Sequence, residues 1–239
     1  MQYKLYTIQM ETIFSSENNS NIRYIVFFDL DQTLAKSISG RSLAREAYKK
    51  GIMKNRDLAM AVILSVLFRL RLRDHSKIID RMVSWVKGMS ETTLKDLCFE
   101  VAHMEIIPSV YEEAKTEINF HRAANAKVVI LSSALTDVCR EIAVYLNLDD
   151  IICSELEIKN GYLTGQPIGH MCYGEEKEIR LKAYCEKYEC SPSEAWYYGD
   201  SISDLYALIA VGNPVCVNPD NNLKRIAIKR GWKIVSWNR

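Results

Sequence analysis

The sequence predicts an α/β protein: a doubly wound parallel sheet interrupted by an inserted block of helices. Three observations predict it. Short, continuously apolar runs rich in β-branched and aromatic residues recur along the chain and stop abruptly at polar groups, as strands buried on both faces do. Segments with helical spacing lie between them, giving each strand a crossover that returns the chain in the same direction. Between Lys36 and about Glu105 the alternation fails, and the pattern reads as several helices with no convincing strand.

In chain order, residues 1–23 are polar, with a Ser/Asn-rich stretch at Ser15–Asn21, and read as an extended leader. Tyr24–Phe28 reads as the first strand, ending at Asp29. In the insert, Gly51 and Gly88 punctuate the helices, and Ser90 is placed to cap the helix that follows. Pro108 suits the first turn of a helix running to about Ala124. Val128–Leu131 reads as a strand ending at Ser132. The spacing of Val138, Ile142, Tyr145 and Leu146 predicts a helix, as does that of Leu181, Tyr184, Cys185 and Tyr188 after Glu175 and Glu176. Asn160-Gly161 is a hairpin turn signal within the core. Ala195–Tyr198, Pro214–Val217 and Lys233–Trp237 complete the strands. The boundaries that follow are 24–35 and 106–239 for the α/β core and 36–105 for a helical cap.

With 239 residues, 48% of them hydrophobic, the chain can bury a substantial core. Its 31 basic and 30 acidic residues leave a formal charge of +1, which argues against nucleic acid or an anionic membrane as partner. The seven cysteines are scattered with no CxxC pair, and the first ten residues hold no signal-like apolar block. Reduced thiols in a cytoplasmic protein follow as the expectation. His75, His103, His121 and His170 do not sit at zinc-ligand spacing from the cysteines. The longest apolar run, Leu58–Phe68, is too short for a bilayer span of about 20 residues and is expected to be a buried helix.

Ligands of open parallel sheets bind beyond the carboxyl ends of the strands. At that edge the apolar runs deliver Asp29 and Asp31, Ser132, and Asp200. Clustered carboxylates repel unless a cation lies among them, and hard oxygen ligands suit Mg²⁺ bound together with waters and a substrate phosphate.

Phe28-Asp29-Leu30-Asp31-Gln32-Thr33-Leu34 resembles the DxDxT first motif of the haloacid dehalogenase-like superfamily. Val128–Ser133 resembles its second motif, Lys177 its third, and Gly199-Asp200-Ser201-Ile202-Ser203-Asp204 its fourth, GDSxxD. The four occur in the family's order, and the resemblance covers about Tyr24–Arg239. The insert between the first two motifs is similar to that of subfamily IB, the phosphoserine-phosphatase-like group, as are Gly161–Gly165 and Gly212–Val215. The resemblance implies a Rossmann-like core with a helical cap and a Mg²⁺-dependent phosphatase acting on a small phosphate ester. In it Asp29 is the nucleophile that becomes an aspartyl-phosphate. Asp31 is the general acid and base, which requires a carboxyl protonated near neutral pH, and its main-chain carbonyl ligates the metal. Asp200 is a metal ligand, and Asp204 a ligand or the group that orients one. Ser132 and the Ser133 amide hold phosphate oxygens, and Lys177 neutralises charge on Asp29 and the phosphoryl group.

Blander readings exist for each residue. An isolated Asp-x-Asp after a strand is more often a turn, Ser132 could be a helix cap, and most lysines are solvated. Four motifs in order outweigh these, and a cation in a first helical turn opposes the macrodipole unless an anion lies beside it. Two departures matter. Gln32 stands where glycine is common in the family. Phosphoserine phosphatases carry a glutamate soon after the first motif, whereas Lys36–Arg41 offers no carboxylate, which argues against phosphoserine. Arg41 and Arg45, at the start of the insert, are candidates for reading the leaving group. The rivals are a phosphotransferase or mutase on the same scaffold and a non-catalytic binding module.

Overall fold

The computed structural model describes residues 22–69 and 75–238; the leader up to Asn21 lies outside them. The described elements, in chain order, begin with β1 (Tyr24–Phe28), followed by the helices of the insert: α1 (Ser39–Lys49), α2 (Asn55–Arg69), α3 (His75–Met82) and α4 (Glu91–Val101). Then come α5 (Glu112–Ala123), β2 (Ala126–Leu135), α6 (Thr136–Leu146), β3 (Asp150–Ser154), and the ribbon β4 (Leu156–Lys159) and β5 (Tyr162–Pro167). The chain closes with α7 (Glu175–Lys187), β6 (Trp196–Gly199), α8 (Leu205–Ala210), β7 (Asn213–Val217), α9 (Asn221–Arg230) and β8 (Lys233–Val235).

Six strands form a sheet in the order β3-β2-β1-β6-β7-β8, every neighbouring pair parallel. The chain winds outward from β1 through β2 to β3, then returns to β6 on the other side of β1. The winding therefore reverses between β1 and β6, which is where such sheets open a crevice for ligands. Both faces are covered, and the two-residue period of a strand sorts its side chains between them. Val26 and Phe28 join the apolar cluster containing α5, α6 and much of the insert, while Ile25 and Phe27 join that of α7, α8 and α9.

The insert is helical, as its pattern predicts. Ser90 caps α4 by accepting a hydrogen bond from the Thr93 amide at 3.1 Å. Gly51 and Gly88 have φ of 70° and 81°, a conformation only glycine adopts without strain. The Leu58–Phe68 run departs from its expected burial. It lies in α2, but Met60, Val62 and Ile63 are about half exposed while Leu64 is buried.

Three further expectations change. Pro108 does not open a long helix: it sits in a 3₁₀ turn, Ile107–Ser109, and α5 starts only at Glu112, because Val110 is extended and bridges Ala35. The second strand does not stop at Ser132 but runs on to Leu135, with its register to β3 broken between Leu131 and Leu135. The Asn160-Gly161 turn forms, with φ of 53° and 80°, but its ribbon is a separate two-stranded sheet. That ribbon bonds to the insert instead of the core sheet: Gly88 N–H donates to Leu163 O (2.9 Å), Leu163 N–H to Met89 O (2.9 Å) and Glu91 N–H to Gly161 O (3.0 Å). Where it crosses the insert, a Cβ on Gly165 would stand 2.9 Å from Lys87 Cβ. At the root of the ribbon, the Ser154 hydroxyl donates to Ser133 O and accepts from Cys172 N–H, both at 2.9 Å. No helix among the described residues is long and apolar enough to cross a membrane.

Candidate active site

β1 delivers Asp29 to the switch point, anchored by its amide to Tyr198 O on β6 at 3.0 Å. Beyond it the chain turns tightly: the Leu34 and Ala35 amides return to Leu30 O, both at 3.0 Å. Gln32 occupies the left-handed region of this turn with φ 61°, which explains why glycine suits the position. The turn brings Asp31 back over the sheet edge. There Ser39, the first residue of α1, donates its amide to Asp31 Oδ1 and its hydroxyl to Oδ2, each at 2.9 Å.

Lys177 enters from the first turn of α7 and is 1% exposed. Its ammonium meets Asp29 Oδ1 at 2.8 Å, Asp204 Oδ1 at 2.6 Å and the Tyr197 hydroxyl at 3.0 Å. The anion expected beside this lysine is thus present twice. From the end of β6 comes Asp200, whose amide donates to Asp204 Oδ2 at 3.1 Å and whose carbonyl accepts from Asp220 N–H at 2.8 Å. Gly199 is required by this turn, since a Cβ there would lie 2.7 Å from Asp204 Cγ. Ser132 is fully buried and accepts from the Ala134 amide at 3.3 Å; Ser133 follows it in the stretch where β2 loses register with β3.

Asp29, Asp200 and Asp204 each place a carboxylate oxygen within 4.8 Å of the other two. Proximity alone overstates Asp204 as a ligand. Its Oδ1 accepts from Lys177 and Tyr197 (2.7 Å), and its Oδ2 accepts from the Asp200 and Ser201 amides, both at 3.1 Å. A carboxylate offers about four lone-pair directions, and all are taken. Asp204 therefore orients the turn that presents Asp200. The Asp31 carboxyl lies outside this trio.

Electrostatics follow from one buried ammonium among several buried carboxylates. Burial, then the Asp29 charge, pushes the Asp31 carboxyl up to about 7, against the opposing pull of the Ser39 bonds. Asp200 is raised well above the carboxylate range by burial, Asp204 and Asp29. Asp29 is raised by burial despite Lys177. For Lys177 burial alone would favour the neutral amine, but Asp204 and Asp29 outweigh it and hold the ammonium. Such an excess of buried negative charge, built from oxygen donors, fits a hard divalent cation.

Of the insert residues, Arg41 is exposed on the first turn of α1, whereas Arg45 is engaged in an ion pair with Glu105. Two site residues escaped the sequence reading. Ser39 carries no local signal, being one hydroxyl among several in its segment. Tyr197 sits in an apolar strand, where an aromatic ring reads as core.

A family model described as haloacid dehalogenase-like hydrolase matches residues 26–208. The chain is 31% identical over 230 residues to the inhibition of morphological differentiation protein of Streptomyces azureus, covering 93% of this chain and 82% of that one. It is also 31% identical over 224 residues to a probable phosphatase of Mycobacterium tuberculosis, covering 91% and 76%. A solved phosphoserine phosphatase, a phospho-aspartyl intermediate analogue, superposes with a TM-score of 0.69 over 92% of this chain and 95% of its own, at 18% identity.

Proposed function

Because the chain belongs to the haloacid dehalogenase-like hydrolases, we propose that it is a Mg²⁺-dependent phosphatase hydrolysing a small phosphate monoester through an aspartyl-phosphate on Asp29. The observation that carries this reading is the pairing of roles around β1: a carboxylate held by Lys177 at 2.8 Å, and two residues on a second carboxyl poised at about 7.

In the first half-reaction Asp29 attacks phosphorus and the ester P–O bond breaks. Asp31 gives its proton to the departing oxygen. In the second, Asp31, now ionised, takes a proton from water, whose oxygen attacks phosphorus; the Asp29–phosphorus bond breaks and inorganic phosphate leaves. Lys177 offsets charge at Asp29 and the phosphoryl group, and Ser132 with the Ser133 amide holds phosphoryl oxygens. Asp29, Asp200 and the Asp31 carbonyl would hold Mg²⁺, which supplies charge neutralisation for the phosphoryl oxygens when bound. Asp204 serves this set by fixing Asp200. Residues 24–35 and 106–239 form the catalytic unit in this reading, and 36–105 the cap over the leaving group.

The test is phosphate release from a panel of esters with Mg²⁺, run beside transfer to added alcohols. Release by the wild type with none by Asp29→Asn, at unchanged folding, is expected. Metal-dependent turnover by that variant would sink the nucleophile, and dominant transfer would make the protein a phosphotransferase.

A further inference from the structure

Tyr197 and Tyr198 are consecutive on β6, both fully buried, and face opposite sides of the sheet. The Tyr198 hydroxyl donates to Glu117 at 2.7 Å and lies 2.8 Å from His121 Nε2, on the α5 side and away from the carboxylates. The Tyr197 hydroxyl lies among them. It donates to Asp204 Oδ1 at 2.7 Å and accepts from Lys177 Nζ at 3.0 Å.

An ammonium has three N–H bonds in fixed tetrahedral relation. In Lys177 they go to Asp29, Asp204 and Tyr197, with no fourth partner needed. Fixing two of these directions fixes the third. The hydroxyl also completes the acceptors of Asp204, which holds Asp200. Without it, one buried N–H is unmatched and Oδ1 keeps a single donor. The ammonium is then free to turn toward Asp204 and loosen its hold on Asp29, since an unmatched buried donor is costly and reorients.

We propose that Tyr197 is a positioning residue: its hydroxyl sets the rotation of the Lys177 ammonium, and so its placement against the nucleophile Asp29. This rests on the phosphatase reading for its consequence in catalysis, but the clamp itself is measurable without turnover.

The neighbouring tyrosine supplies the control. Tyr197→Phe and Tyr198→Phe each delete one buried hydroxyl from the same strand and keep the ring. Both are expected to lower the thermal midpoint to a similar degree. On the best panel ester, Tyr197→Phe is expected to lose about tenfold in kcat with KM nearly unchanged, as misplacement of a catalytic group does, while Tyr198→Phe keeps its kcat. Equal kcat losses would make the hydroxyl merely structural and overturn the proposal. Independently, ¹⁵N-lysine labelling reads the Lys177 ammonium, identified by its absence in Lys177→Met. Its proton exchange should accelerate in Tyr197→Phe and not in Tyr198→Phe. An unchanged signal in Tyr197→Phe overturns the clamp whether or not any ester is hydrolysed. A wild type that hydrolyses nothing, with the exchange difference present, instead rejects the phosphatase reading and leaves the clamp standing.

Discussion

Ser39 grips both oxygens of Asp31, its amide on Oδ1 and its hydroxyl on Oδ2, each at 2.9 Å. A carboxyl of the core is thereby aimed by the first residue of α1, in the insert. Both bonds favour the ionised carboxyl, while burial and Asp29 favour the protonated one, and the balance stands at about 7.

Ser39→Ala removes the hydroxyl bond and leaves the amide bond. The Asp31 pKa should rise. If, as proposed, the first step needs Asp31 protonated, kcat/KM falls as pH climbs through that pKa, and the alkaline limb should move to higher pH in the variant. Looser aim should also lower kcat by about fivefold, a fraction of what a general acid contributes. A pH–rate profile checks both; an alkaline limb that moves down, or does not move, contradicts the assignment of Asp31.

The carboxylate cluster predicts how metal acts on the fold. The carboxyls of Asp29, Asp31 and Asp200 are all raised, first by burial and then by neighbouring carboxylates, so a cation among them would relieve an unfavourable ionisation. Mg²⁺ should stabilise chelator-treated protein by about 2.7 kcal/mol at a hundredfold excess over its Kd, and so raise its thermal midpoint. Asp200→Asn should lose most of that gain. Ca²⁺ should bind yet support little turnover, because its larger and looser shell misplaces the attacking carboxylate. Calorimetry with and without each ion, beside phosphate release, provides the measurement.

Gln32 holds φ 61° in the turn between Asp31 and Thr33. Left-handed backbone costs a side-chain-bearing residue on the order of 1 kcal/mol, and more when it is β-branched. Gln32→Gly should therefore unfold at higher denaturant than the wild type and Gln32→Val at lower. The opposite order would show that the Gln32 side chain contributes contacts larger than its strain.

The two insert arginines should now part company. Arg45 is committed to Glu105, so Arg45→Ala should lower stability slightly and affect esters alike. Arg41 is exposed at the start of α1, and Arg41→Ala should raise KM for the best panel ester more than for a generic aryl phosphate. Equal effects on the two esters would remove Arg41 from substrate recognition.

The sequence revealed the parts of this molecule whose signals are local. The apolar runs ending at Asp29 and Asp200 are strands because both faces are buried, and burial on both faces is what makes such runs continuous. β3 was missed because Asp150–Ser154 opens with a carboxylate and is only partly buried at its start. The ribbon was legible as a turn but not as a partner of the insert, since pairing between Leu163 and Met89 depends on main-chain groups that carry no residue code. The same holds for Ser39. Its use is decided by where α1 begins in space, and nothing in Ser37-Ile38-Ser39 distinguishes one hydroxyl from the other. For Lys177 the argument from helix polarity succeeded because the macrodipole is a local property of the first turn.

The ribbon tethers the insert in addition to its two chain crossings. Swinging the insert open as a flap would break the main-chain bonds at Gly88, Leu163 and Glu91. The ribbon is in turn held to the core at its root. That root is Ser154, whose hydroxyl is fastened to the carbonyl of Ser133. Ser133 lies in the loosened stretch of β2, beside Ser132. A hydrogen-bonded path thus runs from the insert through the ribbon to the loop proposed to receive the phosphate.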